Sequence, residues 1–254
     1  MILLDPLARP VIGHRGNRAF APENTLESFL EAVALGVDAI ELDVHVSRDG
    51  VPVVFHDATL ERTTDGIGTL AARSVTELKR LDAGARFTRD NGRTFPWRGR
   101  GVTVSTFDEL IDALPSQLPC IIDVKTPAAT EPLRHAVRRH GMAARIIVAG
   151  FDPQATRPLR GAGFALGAST SDVVALLWPA LLRRRAALPQ VQALCIPPRW
   201  HGLPVPIAAL VRTLRGSGTV THVWTVNDPA QARQLWDAGV QGIISDDPGL
   251  ILAG

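Results

Sequence analysis

Most of what would tie this chain to a membrane, a nucleic acid or an oxidising compartment is missing from its sequence. It has only 2 cysteines in 254 residues, Cys120 and Cys195, each inside an apolar run. They read as small core residues, not as a disulfide or a metal pair. No stretch approaches the ~18 consecutive apolar residues that a spanning helix needs. The opening MILLDPLARP has neither a basic n-region nor a long apolar segment, so a cytoplasmic location is the expectation. Charge of one sign is lacking too. The 27 Lys+Arg against 25 Asp+Glu give a formal net charge of +2, too balanced to argue for nucleic acid or an anionic surface. The dense basic runs, Arg138-Arg139-His140 and Arg183-Arg184-Arg185, fall at the ends of predicted helices, where cations suit the helix dipole and solvent.

What is present centres on Ala39 to Asp57, AIELDVHVSRDGVPVVFHD. Glu41 and Asp43 stand two apart in a β-branched, apolar run, so both side chains face one way. Two like charges on one buried face are unfavourable unless something offsets them, and a bound cation would do so. The linker from Ser47 to Gly50 is too short for a parallel crossover, so the return through Val51 to Phe55 makes an antiparallel hairpin. That hairpin brings His56 back towards the two acids.

Around this stretch the chain alternates. Strands are predicted at 10–16, 39–46, 120–125, 145–151, 165–169, 193–197, 222–226 and 242–245. Helices are predicted at 24–36, 106–114, 131–140, 153–161, 172–187, 206–215 and 229–238, the first with Asn24 and Glu27 at capping-box spacing. Eight strands in helix-separated order indicate an α/β fold, a closed (β/α)8 TIM barrel. The runner-up, an open doubly wound sheet, wants a glycine-rich phosphate turn where this chain has His14-Arg15-Gly16-Asn17. The stretch from Ala58 to Val104, with one short helical piece at 74–81, reads as an insertion on the rim after the hairpin. The whole chain, 1–254, reads as one domain.

In such a barrel the chemistry sits at the C-terminal ends of the strands. Those ends carry His14 and Arg15; Glu41 and Asp43; Asp123 and Lys125; and Trp224 and Asn227, with His56 added by the hairpin. Three carboxylates make an all-oxygen site that suits Mg²⁺ or Ca²⁺ better than zinc. Arg15 and Lys125 beside it suit a phosphoryl group, and two histidines can act as general base and acid. Singly, each feature has a blander reading. A strand-end histidine is often structural, Asp123 and Lys125 could pair to close the barrel bottom, and Trp224 could be core. The argument lies in four strand ends carrying coherent groups at once.

The chain resembles the glycerophosphodiester phosphodiesterase family. The motifs are GHRG at 13–16, PENTLESF at 22–29, ELDV at 41–44, DGVPVVFHD at 49–57, LERTTDGIG at 60–68, IDVK at 122–125, WTVND at 224–228 and GIISDDP at 242–248. They follow family order over nearly the whole chain. The resemblance implies one divalent cation, Mg²⁺ or Ca²⁺ with Mn²⁺ also open, on Glu41, Asp43 and Asp123. It implies His14 and His56 as the acid/base pair, Arg15 and Lys125 on the phosphate, and Trp224 against the glycerol. Glu23 and Asn24 would orient the first-strand loop, Asn24 in competition with its role as helix cap. The implied substrate is a small glycerophosphodiester, cleaved to sn-glycerol 3-phosphate and an alcohol through a cyclic phosphate.

Two departures stand out. Position 123 is usually Glu and is Asp here, which pulls a ligand back by about one methylene. The usual Pro-Thr-Leu segment is replaced by Val104-Ser105-Thr106-Phe107. Two other readings keep the same motifs: a phospholipase D-like lyase on lysophospholipids or sphingomyelin that stops at the cyclic product, and a non-catalytic barrel that binds glycerophosphate. The lack of paired cysteines and of an apolar loop weighs against the first, and the presence of both histidines and all three acids weighs against the second. Arg86, Phe87, Trp97 and Arg98 of the insertion read either as headgroup contacts or as rim packing.

Overall fold

The eight predicted parallel strands are present in the computed structural model, which describes residues 1–184 and 190–254. They are β1 (Val11–His14), β2 (Ala39–Val46), β3 (Cys120–Val124), β4 (Ile146–Ala149), β5 (Ala165–Leu166), β6 (Ala193–Ile196), β7 (Val220–Val223) and β8 (Gly242–Ser245). Their order in the sheet is β5-β4-β3-β2-β1-β8-β7-β6. A parallel bridge from Gly167 to Ala193, with Ala168 N–H donating to Ala193 O at 2.8 Å, brings the two ends together into a nearly closed barrel. The helices α1 (Leu26–Ala34), α2 (Phe107–Ala113), α3 (Pro127–Arg139), α4 (Pro153–Thr156), α5 (Thr170–Leu181), α6 (Ile207–Leu214), α7 (Pro229–Asp237) and α8 (Pro248–Ala253) alternate with the strands. The strand Pro52–Val54 returns antiparallel on β2, pairing Val44 with Val54.

Strand alternation sorts the side chains. Ile40, Leu42 and Val44 of β2 point outward into the cluster shared with the helices. Ala39 joins Ile12, Ile121, Ile147, Ala193, Val220 and Ile244 inside the barrel. Glu41 and Asp43 follow Ala39 at i+2 and i+4 and therefore face inward. The same rule separates the cysteines. Cys120 lies in the outer cluster and Cys195 packs against the inner one, so they face different layers and both are free. Among the described residues no helix is long and apolar enough to cross a membrane.

Several expectations need correction at their edges. The cap of α1 is Thr25, whose side chain accepts from Ser28 N–H, and not Asn24, which is turned to φ 57° and faces Asp43. Helix α3 starts at Pro127, earlier than expected, because proline at the first helical position is pre-set for the helix and lacks only an N–H that would go unpaired there. Helix α5 ends at Leu181; the expected continuation to Ala187, and Arg185 of the basic run, fall partly outside the described residues. Arg139 and His140 are not simply solvated, since both reach Asp108 on α2. Leu60, Leu70 and Leu78 of the insertion form a small core with Val53 and Phe55 of the hairpin's return. The segment at 104–107 pairs with the return strand, where Val54 N–H donates to Ser105 O at 2.9 Å.

The barrel floor is plugged by the short helix Ile2–Leu4, whose Leu3 is fully buried. Leu3 O accepts from His222 Nε2–H on β7 at 3.0 Å. A Cβ on Gly242 would stand 2.1 Å from His222 Nδ1, so glycine in β8 makes room for this ring. Burial lowers the His222 pKa to about 4, against 6.5 for a free imidazole. The folded ring thus takes a proton only below about 4 and the unfolded ring already below 6.5, so acid favours unfolding between those values. The stabilisation is intact above pH 6.5 and is lost as pH falls. We expect the urea midpoint to drop between pH 7 and pH 5, with His222 contributing about 2 kcal/mol. His222→Leu should flatten that dependence; an unchanged slope would remove His222 from the account.

Candidate active site

The inward-facing acids meet at the C-terminal mouth of the barrel. Register places His14 beside Glu41, and Asp43 beside Asp123. A cavity opens there, lined by His14, Arg15, Glu41, Asp43, His56, Asp123, Lys125 and Trp224, with Phe151 and Cys195 also in its wall. All eight expected catalytic, metal and substrate residues therefore surround one space. The Asp123–Lys125 pair lies at this mouth and not at the barrel bottom. Cys195, read from sequence as core, has one face on the cavity.

Asp43 is the most heavily compensated acid. It is 1% exposed, pairs through Oδ1 with the Lys125 ammonium at 2.7 Å, and accepts Asn24 Nδ2–H at 2.7 Å on Oδ2. Arg15 Nε lies 3.0 Å from the same Oδ2, off the hydrogen-bond line, so that contact is ionic. Burial would push this carboxyl up, but Lys125 and Arg15 overcome it and hold the group at about 2. Lys125 also donates to Asp123 Oδ2 at 2.6 Å and is itself raised, the two carboxylates outweighing burial.

Glu41 and Asp123 are less well served. Glu41 accepts the backbone N–H of Arg15 at 3.2 Å, and burial followed by the charge of Asp43 pushes its pKa well up. Asp123 is raised by burial, with Asp43 adding to it against Lys125, and its Oδ1 is buried without a partner. The backbone is drawn tight here. Arg15 and Asn24 both sit at positive φ, 53° and 57°, and a Cβ on Gly16 would meet Ser28 Oγ at 2.4 Å.

Each cavity histidine is held by a carboxylate that sequence reasoning did not assign. His14 Nδ1–H donates to Asp246 Oδ1 at 2.6 Å, with Nε2 3.9 Å from Glu41 Oε2. His56 Nδ1–H donates to Asp57 Oδ1 at 2.5 Å. A carboxylate accepts only, so both rings carry the proton on Nδ1 and keep Nε2 free. Burial, with Arg15, lowers the His14 pKa against the pull of Asp246. Asp57 and Asp246 were within reach of the sequence, since both lie inside the quoted motifs, but nothing in their spacing names a histidine partner.

Glu23 does not line the cavity; it joins Arg15, at 2.7 Å, to Arg62 of the insertion, whose Nη1 and Nη2 donate to its two oxygens at 2.8 and 2.7 Å. Arg62 also reaches Asp57, so one guanidinium ties the insertion to the His56 end of the site. Arg86, Phe87, Trp97 and Arg98 lie away from the cavity lining. Trp97 Nε1–H donates to Phe20 O, and Arg98 stacks on Phe95.

The donor set fits a hard divalent cation in kind: three carboxylates face one cavity, one with an orphaned oxygen and one poorly compensated. As the side chains stand, Lys125 fills the space between Asp43 and Asp123, and no three His, Cys, Asp or Glu among the described residues form a chelating group.

Known proteins match this chain closely. The Glycerophosphoryl diester phosphodiesterase family matches residues 14–250. A glycerophosphodiester phosphodiesterase of Caldanaerobacter subterraneus is 30% identical, covering 95% of this chain and 96% of the relative. A probable glycerophosphodiester phosphodiesterase 2 of Mycobacterium tuberculosis is 31% identical over 96% of this chain and 89% of its own. Among solved structures, an Oleispira antarctica phosphodiesterase in complex with the product sn-glycerol-3-phosphate superposes with a TM-score of 0.78 at 26% identity, covering 97% of this chain and 96% of that one. A further Mycobacterium tuberculosis domain reaches a TM-score of 0.84 at 24% identity, over 97% of this chain and 98% of that one, a likeness of fold. With the family matched over nearly its whole length and the barrel shared, the chain belongs to the glycerophosphodiester phosphodiesterase family.

Proposed function

We propose that the protein hydrolyses glycerophosphodiesters to sn-glycerol 3-phosphate and an alcohol, with His14 and His56 as the proton-transfer pair. The observation that carries this is the pairing of each imidazole with its own carboxylate on one cavity. Asp246 and Asp57 take the Nδ1 protons, which leaves Nε2 of each ring for the substrate. One Nε2 accepts the proton of the glycerol 2-hydroxyl as its oxygen bonds to phosphorus. The other, protonated, donates to the departing alcohol oxygen as its P–O bond breaks. Water then opens the cyclic phosphate with the roles exchanged, so one water is consumed overall.

Arg15 and Lys125 place positive charge beside the phosphoryl oxygens, and burial makes that charge count for more than it would in water. Asn24 holds Asp43 from its side chain and from Asp43 N–H, and so acts as a positioning residue. Glu41, Asp43 and Asp123 would hold Mg²⁺, Ca²⁺ or Mn²⁺. When bound, that ion would offset phosphate charge and ease ionisation of the attacking hydroxyl. Trp224 would pack against the glycerol carbons.

His14→Ala and His56→Ala should each cut turnover of glycerophosphocholine by about 10²–10⁴-fold, with circular dichroism unchanged; full activity in either refutes the assignment. Asp246→Asn should reduce kcat less than His14→Ala does, with little change in KM.

The metal is tested by titration calorimetry on chelator-treated protein. One ion per chain should bind, weakly in Glu41→Gln and more tightly in Asp123→Glu, where the longer arm reaches the site. Equal binding in Glu41→Gln would remove that ligand set.

A further inference from the structure

His56 reaches the cavity from the end of the hairpin's return, where strand pairing has stopped. The ladder with β2 sets His45 opposite Val53 and Val44 opposite Val54. Its last backbone bond runs from Phe55 N–H to Asp43 O at 3.0 Å. His56 and Asp57 lie beyond that bond. Among the described residues no backbone N–H donates to the His56 carbonyl. A side chain takes it instead: His45 Nε2–H donates to His56 O at 3.0 Å. A carbonyl only accepts, so the His45 ring carries a proton on Nε2.

His45 owes its place to the parity that sets the acids. It follows Glu41 and Asp43 at i+4 and i+2 and so lies on their face of β2. It is 6% exposed and does not line the cavity, so it stands behind the site and not in it.

The bond matters because of which carbonyl it holds. The His56 carbonyl belongs to the peptide that joins His56 to Asp57. On one side of that peptide is the imidazole, and on the other the carboxylate that accepts its Nδ1–H at 2.5 Å. The plane turns about ψ of His56 and φ of Asp57, the only soft dihedrals there. Turning it would swing the ring and its carboxylate together relative to the cavity. Packing does little to prevent this, since the His56 side chain is 33% exposed. Arg62 steadies the pair through Asp57 Oδ1 at 3.1 Å, but from the rim, where its own side chain is 45% exposed. His45 holds the pair from the buried side.

We propose that His45 is a positioning residue: by holding the His56 carbonyl it fixes the His56–Asp57 pair, and so aims His56 Nε2 into the cavity. The proposal rests on the role of His56 argued above. His45 touches no substrate and moves no proton. If the bond served only to satisfy a buried carbonyl, its loss would appear in stability and not in rate.

The test is a double-mutant cycle on glycerophosphocholine turnover. His45→Phe keeps a ring and removes the donor; kcat should fall by about tenfold to a hundredfold, with KM little changed and circular dichroism intact. His45→Gln, whose amide N–H can reach the same carbonyl, should restore most of the rate. In the His56→Ala background, His45→Phe should cause no further loss, because its effect passes through His56. The Nδ1 proton of His56 gives a second reading. Its downfield resonance should be kept in His45→Gln and broadened or shifted in His45→Phe. Undiminished kcat or an unchanged resonance in His45→Phe, no recovery in His45→Gln, or an equal further loss in the His56→Ala background overturns the proposal and leaves the diesterase reading standing. Loss of circular dichroism in step with activity assigns His45 to folding alone and overturns it too. Full activity in His56→Ala overturns both.

Discussion

Three carboxylates brought to one low-dielectric mouth are what the rest of this structure must accommodate. Glu41, Asp43 and Asp123 face inward because strand alternation leaves them no choice, with Ile40, Leu42, Val44 and Ile122 committed to the helical layer. Repulsion among them is met unevenly. Asp43 has Lys125, Arg15 and Asn24, whereas Glu41 has one backbone N–H and Asp123 has one orphaned oxygen. Compensation is thus complete at one acid and short at the other two, and in the proposed function a bound cation would make up that shortfall.

The compensation extends outward as an alternating network of charge. Asp43 holds Arg15, Arg15 holds Glu23, Glu23 holds Arg62, and Arg62 holds Asp57, which in turn orients His56. Glu23 is pulled far below its usual range, since Arg62, Arg15 and Arg18 together overcome its burial. The insertion is therefore more than a cover. A small core around Leu60 fixes that stretch, and Arg62 from it couples insertion and barrel at the mouth.

The two sides of the mouth differ in kind. On the β1, β2 and β3 side the lining is charged and polar, and the backbone is drawn into left-handed turns at Arg15 and Asn24. On the β4 to β6 side the lining is aromatic and aliphatic. The two walls of one cavity thus differ in polarity.

Much of this was legible before any coordinates. Period-2 patterning and helix-separated spacing determined the eight strands and the hairpin, because side-chain burial on a barrel strand follows sequence parity. The same parity put Glu41 with Asp43, and Asp123 with Lys125, and motif order identified the family. Element ends were less legible. Asn24 and Thr25 are both good caps, and only the pull of Asp43 on Asn24 decides between them. Pairings between distant segments were not legible at all. Asp246 reaches His14 across 232 positions and Arg62 reaches Glu23 across 39, distances over which local pattern carries no information. The apolar side of the mouth was hidden for the same reason, since Phe151, Leu177 and Trp200 become neighbours only when the barrel closes and sets three separate loops and helices around one mouth.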